Sequence, residues 1–362
     1  MSGTRMHPLL RTLGRPDSHR DPRRAARAPR GRALVVLTLG ASLALAGCSG
    51  DAAKPPSDAS SSPGAQSTAA GHTLSGQWPL TGLPADRPAP KRPVMVVKID
   101  NTSSSSPQIG LSKADLITEE LVEGGATRLA VFYYSRVPKT VGPVRSFRAS
   151  DIGIVKPADA VLVASGGAPP TVRRVSAAGI KTFTEGATGY YRDSSRSAPY
   201  NLFMTLPKLA STLKAKQPPA DYLPWGPADE LPKGARATRI DAQFSGGHTT
   251  SWKYAHGAYT NLNSYAADGD HFKPDSVLVL RVRLGDAGYR DPAGNPVPET
   301  KFTGSGDAML FHDGRVVRGA WHKKNLGSSL RLTTKGGELV VPPGHTWVEL
   351  VPQSSGNVSY SK

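Results

Sequence analysis

Arg145 and Arg148 stand three residues apart behind Gly142-Pro143, and a second arginine pair, Arg192 and Arg196, follows in the run Tyr191 to Asn201. A planar guanidinium grips phosphate or carboxylate through two parallel hydrogen bonds, which the point charge of lysine does less specifically. Two polar groups precede them: Asp100-Asn101 with Gln108, and Asp115, Glu119, Glu120 and Glu123 with Thr127-Arg128. A small-residue turn, Ser165-Gly166-Gly167, completes the set. Open α/β sheets bind ligands beyond the carboxyl ends of their strands, so Asp100, Arg145, Arg148 and the Ser165 turn are expected to share one cleft. With Arg192 and Arg196 added, that cleft would neutralise a diphosphate. The structural alternative is that these arginines pair with Asp115, Glu119, Glu123, Asp151 and Asp193 and knit the fold together.

Other chemistries lack their signatures. The chain has no nucleophile elbow, phosphate-binding loop or HExxH run, and no catalytic residue is assigned. Asp100, Asp115 and the glutamates offer oxygen ligands of the kind magnesium prefers, but at no fixed spacing. No metal site or cofactor is therefore assigned, and magnesium would enter only alongside a bound diphosphate. His248, His256, His271, His312, His322 and His345 lack ligand spacing and read as surface or packing residues.

The single cysteine, Cys48, excludes disulfides within the chain. It closes Leu45-Ala46-Gly47-Cys48 after an apolar run from Ala33, itself preceded by Arg20, Arg23, Arg24, Arg27, Arg30 and Arg32. Basic, apolar and small segments in that order read as a secretory signal peptide. The apolar run falls short of the ~20 residues that span a bilayer. Its ending resembles the bacterial lipobox, whose cysteine is acylated and becomes the mature N-terminus. Buried acyl methylenes contribute ~0.8 kcal/mol each, so two or three chains would hold the protein on the extracytoplasmic face of the cell membrane.

The 362 residues include 45 basic and 28 acidic side chains, a net +17; nine arginines and two aspartates precede Cys48, which leaves +10. For an exported protein that excess points to lipid headgroups and phosphate-bearing wall polymers, not to nucleic acid. Residues 1–47 are the expected signal peptide. Residues 48–76 carry the lipidated cysteine and a Ser-, Ala- and Pro-rich tether that cannot bury enough apolar surface to fold; its ~25 residues would span roughly 25–30 Å. Residues 77–217 read as an α/β domain. Val94 to Ile99 is a buried strand there, and Ala114 to Val122 with Arg128 to Tyr134 form a hairpin about Glu123-Gly124-Gly125. A helix from Ser112 competes with that hairpin. Ala160 to Ala164 runs into the Ser165 turn and a helix, Val172 to Ala178; another helix covers Pro207 to Lys216. A Pro-rich linker, residues 218–236, leads to a β-rich domain, residues 237–362, of short alternating runs between turns such as Asp313-Gly314 and Gly336-Gly337. The expected class is α+β overall: an α/β domain of strands with flanking helices, then a mostly β domain.

Several of these motifs carry a family resemblance. Pro79-Leu80-Thr81-Gly82-Leu83, Arg92-Pro93-Val94 leading to Ile99-Asp100-Asn101, Pro107-Gln108 and Ala114-Asp115 resemble the YerB-like (DUF3048) lipoproteins. So do Val122 to Gly125 with Thr127-Arg128, Gly142 to Ser146 with Arg148, and Ser165-Gly166-Gly167. The likeness runs from about Pro79 to Pro352 and is densest before Asn201; later it rests on Asp313-Gly314, Trp321 and Pro343 to Trp347. It implies a two-domain envelope lipoprotein without an assigned reaction. Tyr200 departs from the pattern, which has histidine before Asn201. A second likeness, in fold order alone, is to the LytR-CpsA-Psr transferases of diphosphate-linked wall polymers. It implies Asp100, Arg145 and Arg148 at the diphosphate, with a divalent ion. The expected function is a lipid-anchored binder of an anionic, phosphate- or diphosphate-bearing envelope ligand or of a partner protein; such a transferase and a structural scaffold are the alternatives. The expected ligand set is Asp100, Asn101, Gln108, Arg128, Arg145, Arg148, Ser165, Gly166, Gly167, Arg192, Arg196 and Asn201, with Cys48 lipidated.

Overall fold

Every side chain from Met95 to Asn101 is buried, and this stretch forms β1 (Met95–Asn101). A strand covered on both faces reads as a continuous run, without the alternation of a half-exposed one. The computed structural model describes residues 76–362; Cys48, the signal segment and the tether before Gly76 lie outside these. β2 (Leu116–Leu121) and β3 (Thr127–Tyr133) make the antiparallel hairpin, with Gly124 at its turn at φ 69°, where glycine carries no Cβ penalty. The competing helix from Ser112 does not form; Leu111–Lys113 is a single 3-10 turn. α1 (Asp151–Val155) precedes β4 (Val161–Val163), which lies parallel to β1 and leads into α2 (Pro169–Ala177). β5 (Thr182–Phe183), β6 (Tyr190–Arg192), β7 (Leu202–Met204) and α3 (Leu206–Ala210) follow. The helix expected over Pro207 to Lys216 is thus shorter. Ser211 and Thr212 donate their hydroxyls to the carbonyls of Lys208 (2.9 Å) and Leu209 (2.8 Å), competing with continuation of the helix.

The second half is all strand: β8 (Ala235–Arg236), β9 (Arg239–Ser245), β10 (His248–Ala255), β11 (Ala258–Asn261), β12 (Ser276–Arg290), β13 (Pro296–Lys301), β14 (Gly304–His312), β15 (Arg315–Lys323), β16 (Arg331–Thr334), β17 (Gly337–Glu338), β18 (Thr346–Pro352) and β19 (Asn357–Ser361). The fold is α+β, mostly strand with few helices. One sheet runs through both halves in the order β17-β16-β15-β14-β12-β18-β2-β3-β1-β4-β5. β18 joins them, parallel to β12 on one side and to β2 on the other, with all seven residues buried. A four-stranded sheet, β11-β10-β9-β19, packs its Ile240, Phe244, Trp252 and Tyr259 against one face. The other face is covered by α1, α2 and Tyr222-Leu223.

Residues 218–236 are not a free linker. Tyr222 donates its hydroxyl to the Ile154 carbonyl (3.0 Å), the Trp225 indole donates to Pro79 O (3.1 Å), and Gly226 N donates to Val341 O (3.1 Å). Prolines spare this segment backbone donors, so it crosses the body with few amides to satisfy.

Candidate functional site

Side chains alternate between the two faces of a strand, and this sorts the polar clusters of the sequence. Lys98, Asp100, Glu120 and Arg128 face the helices; Asn101, Glu119 and Thr127 face the four-stranded sheet. Neighbours in sequence therefore belong to different sites.

On the helix side, the ammonium of Lys98 lies 2.8 Å from both Glu120 and Asp151, with all three side chains fully buried. Burial opposes the lysine charge, but the two acids outweigh it and hold its pKa above the usual value. Burial, then the charge of Asp151, pushes Glu120 up to about 7 against the pull of Lys98. Asp151 also accepts a hydrogen bond from Arg148 N (2.7 Å) at the start of α1. The triad thus ties β1 and β2 to the helix that carries the arginine loop.

Beyond it, Arg128 and Arg148 share Glu123. Arg128 Nη2 donates to Glu123 Oε1 (2.9 Å), and Arg148 donates to both carboxylate oxygens, its Nε at 2.8 Å from Oε2. Each guanidinium also donates to a loop carbonyl, Ser146 O (3.0 Å) and Phe147 O (2.9 Å) respectively. Burial opposes ionisation of Glu123, yet the two guanidiniums hold it down to about 2. Burial and the Arg148 charge lower Arg128 to about 10, so it stays charged at neutral pH.

Arg145 is held more loosely. Its Nε is 3.5 Å from Asp100 Oδ2, its guanidinium lies 4.9 Å over the Tyr200 ring, and its side chain is 18% exposed. The buried Arg145 Nη1 has no hydrogen-bond partner among the described residues, and neither has Arg128 Nε. Three guanidiniums therefore meet two carboxylates, Glu123 and Asp100. The Ser165 turn closes on this loop: Ser165 N donates to Arg145 O (3.0 Å), Phe147 N donates to Gly166 O (2.9 Å), and the Ser146 and Ser165 hydroxyls are 3.2 Å apart. Gly167 is required by contact, since a Cβ there would come within 2.6 Å of the Phe147 ring.

The remaining expected ligands have other partners. Gln108 Nε2 donates to Asp100 O (2.7 Å) and Asn101 Oδ1 (3.1 Å), fastening the loop after β1. Arg196 donates to the carbonyls of Pro107 (2.6 Å) and Ser105 (3.3 Å) in that same loop. Arg192 grips Glu185 at 2.7 and 2.8 Å and donates to Asn201 Oδ1 (2.6 Å) at the exposed surface. Asp115 does not join Asp100; it accepts from Tyr134 N (2.6 Å) and Ser135 N (3.0 Å). Among the described residues no three His, Cys, Asp or Glu side chains are placed to hold a metal ion.

On the opposite face lies a network that the sequence reading missed. Glu119 Oε1 accepts hydrogen bonds from His248 Nε2 (2.8 Å), Asn101 Nδ2 (2.9 Å) and the Thr127 hydroxyl (2.7 Å); Thr250 donates to the same carboxylate at 3.0 Å. Glu349 stands opposite Glu119 on the β18–β2 ladder and accepts from Trp252 Nε1 (2.8 Å). Burial and the Glu119 charge push Glu349 well above the carboxylate range, so it keeps its proton. Burial opposes the charge on Glu119, but His248 outweighs it and holds the pKa low. For His248 the order is the same: burial disfavours its charge, and Glu119 raises the pKa. The network fastens the four-stranded sheet to the large one. A lone acid inside the apolar run Trp347 to Val351 was the available signal.

The chain matches two family models, the N-terminal domain of a protein of unknown function (DUF3048) over residues 80–219 and the corresponding C-terminal domain over residues 240–348. It is similar to the putative lipoprotein YerB of Bacillus subtilis (strain 168), 23% identical over 287 residues, 76% of this chain and 86% of that protein. Its fold is that of the crystal structure of YerB from Bacillus subtilis, with a TM-score of 0.65 at 22% identity over 78% of this chain and 99% of that one. Likeness to a putative lipoprotein indicates membrane anchoring; no helix among the described residues is long and apolar enough to cross a membrane. Both halves thus carry the marks of one lineage, and the chain belongs to the DUF3048 family of YerB-like lipoproteins.

Proposed function

We propose that the protein is anchored through acylated Cys48 to the extracytoplasmic face of the membrane and binds there a phosphate- or diphosphate-bearing envelope ligand at Arg145. One observation carries this reading: beside the closely paired Arg128 and Arg148, the Arg145 guanidinium is partly exposed, stacked on Tyr200 and held back at 3.5 Å from its one acid, Asp100. Anionic oxygens would pair with the exposed part of that guanidinium more closely than Asp100 does. Binding is favoured over catalysis. A general base works best with a pKa near the operating pH; Glu123, held at about 2 between two guanidiniums, is a poor one, and Glu120, at about 7, is fully buried against Lys98.

The test is calorimetric titration of inorganic pyrophosphate into the full chain and its Arg145→Ala variant. Loss of a charge-assisted bond costs ~1.5–3 kcal/mol, roughly ten- to hundredfold in affinity, while Arg192→Ala should leave binding unchanged. A folded Arg145→Ala protein with full affinity would overturn the reading. Fractionation of cells carrying Cys48→Ala tests the anchor: release from the membrane is expected, and retention would contradict it.

A further inference from the structure

We infer that the chain carries a second anion-binding surface, a lysine-lined groove at the opposite end of β1 from Arg145, shaped for a linear phosphate-repeat polymer. Three hollows of about 250, 600 and 520 Å³ adjoin there. The first is lined by Lys156, Lys181, Lys214 and Lys216, around the loop before β4 and the turn after α2. It shares Lys156 and Ala178 with the second, which adds Lys301 and Lys324, and Ala215 and Lys216 with the third, which adds Lys91. Two acids line the same surface, and both are occupied. Asp159 pairs with Lys216 at 2.7 Å; Glu299 receives two hydrogen bonds from Arg174, at 2.8 and 2.6 Å, and lies 3.1 Å from Lys301. Among the described residues, no carboxylate lies within ion-pair distance of Lys91, Lys156, Lys181, Lys214 or Lys324, and all five are exposed.

Seven ammonium groups against two acids leave five positive charges along three neighbouring hollows that share lining residues. Like charges gathered without acids repel one another, so a counter-charge supplied from outside is favoured. Lysine presents a hydrated point charge on a flexible stem, which suits repeated phosphates of variable geometry better than one fixed anion. The concave, end-to-end arrangement favours a chain laid along the groove over the flat face of a bilayer. Met95 and Asp100 lie roughly 16 Å apart along β1 at 3.3 Å per residue, and Lys91 and Pro93, which line the groove, precede Met95. The groove is therefore a separate site from Arg145.

Fluorescence anisotropy of labelled long-chain inorganic polyphosphate with the full chain in detergent tests this. A Lys181→Gln/Lys214→Gln/Lys324→Gln variant is expected to bind at least tenfold more weakly. By analogy with single-stranded nucleic acid, where each contact contributes about −0.7, its log-affinity against log-salt slope should be shallower by about two. The Lys181→Gln/Lys214→Gln/Lys324→Gln variant should keep the parent's affinity for pyrophosphate while Arg145→Ala loses it, so failure here and failure of the pyrophosphate site are distinguishable. A triple variant that melts like the parent and binds undiminished would overturn the inference. Should that variant misfold, Lys214→Gln alone carries the test, with about threefold weaker binding expected and unchanged binding refuting it. Phosphatidylglycerol vesicles that compete as well as polyphosphate, phosphate for phosphate, would assign the patch to a bilayer and overturn the polymer reading.

Discussion

Replacing Glu123 with glutamine separates what holds the arginine cluster together from what makes it attract anions. Glu123 is 12% exposed and lies against two guanidiniums that are less exposed still. Removing one partner of a buried ion pair costs about 3–5 kcal/mol because the other charge is left uncompensated. Glutamine keeps the volume and one acceptor oxygen, so the lower end, about 3 kcal/mol, is expected. At roughly 2–4 °C per kcal/mol for a large domain, Tm at pH 7 should fall roughly 6–12 °C. Glu123 is held below its ordinary value, so its contribution is present above about pH 4.5 and is lost as pH falls toward about 2. The gap between parent and variant should therefore narrow on acidification through that window. The variant also leaves three guanidiniums with Asp100 alone, so pyrophosphate should bind more tightly and raise its Tm more than that of the parent. Thermal melts at pH 7 and pH 3, with and without pyrophosphate, read all three effects. A Tm within 1 °C of the parent at pH 7, or a gap that widens in acid, would refute the reasoning.

Three further outcomes are expected. Lys98→Met leaves Glu120 and Asp151 buried without their cation and should cost about 3–5 kcal/mol at pH 8; the loss should shrink at pH 5, where carboxyls freed of the lysine take up protons, and an equal loss at both would contradict the triad. Glu349→Gln should stabilise the protein at pH 7 by about 1 kcal/mol or more, since a carboxyl held above its ordinary value loses stability as pH rises past that value. That gain should vanish at pH 4, and a variant less stable at both would argue that Glu349 is ionised. Gly167→Ala drives a methyl into the Phe147 ring and should lower stability by about 1–3 kcal/mol in urea unfolding; no change would show that the ring moves aside freely.

Local structure was largely legible in the chain. Val94 to Ile99, the Gly124 hairpin and the unit from Ala160 to Ala178 all carry short-range signals, and each lies where those signals put it. What escaped was long-range or two-sided. β18 enters the sheet between β12 and β2 through parallel pairing, which leaves no hairpin turn to read. β1, β2 and β3 are buried on both faces, so alternation could not show that Asp100 and Asn101, or Glu119 and Glu120, serve opposite sides. His248 gained its carboxylate from a strand 129 residues away, a pairing that no local spacing encodes. Arg145 and Arg148 also look equivalent in sequence. The structure distinguishes them by one acid: Glu123 grips Arg148 closely, while Asp100 stands back from Arg145.

The most direct measurement is a crystal structure of the protein soaked with pyrophosphate. Difference density with a phosphate oxygen within hydrogen-bonding distance of the Arg145 guanidinium, about 2.7–3.2 Å, is the expected result. An empty Arg145 mouth at a pyrophosphate concentration that saturates the calorimetric titration would contradict the proposed site.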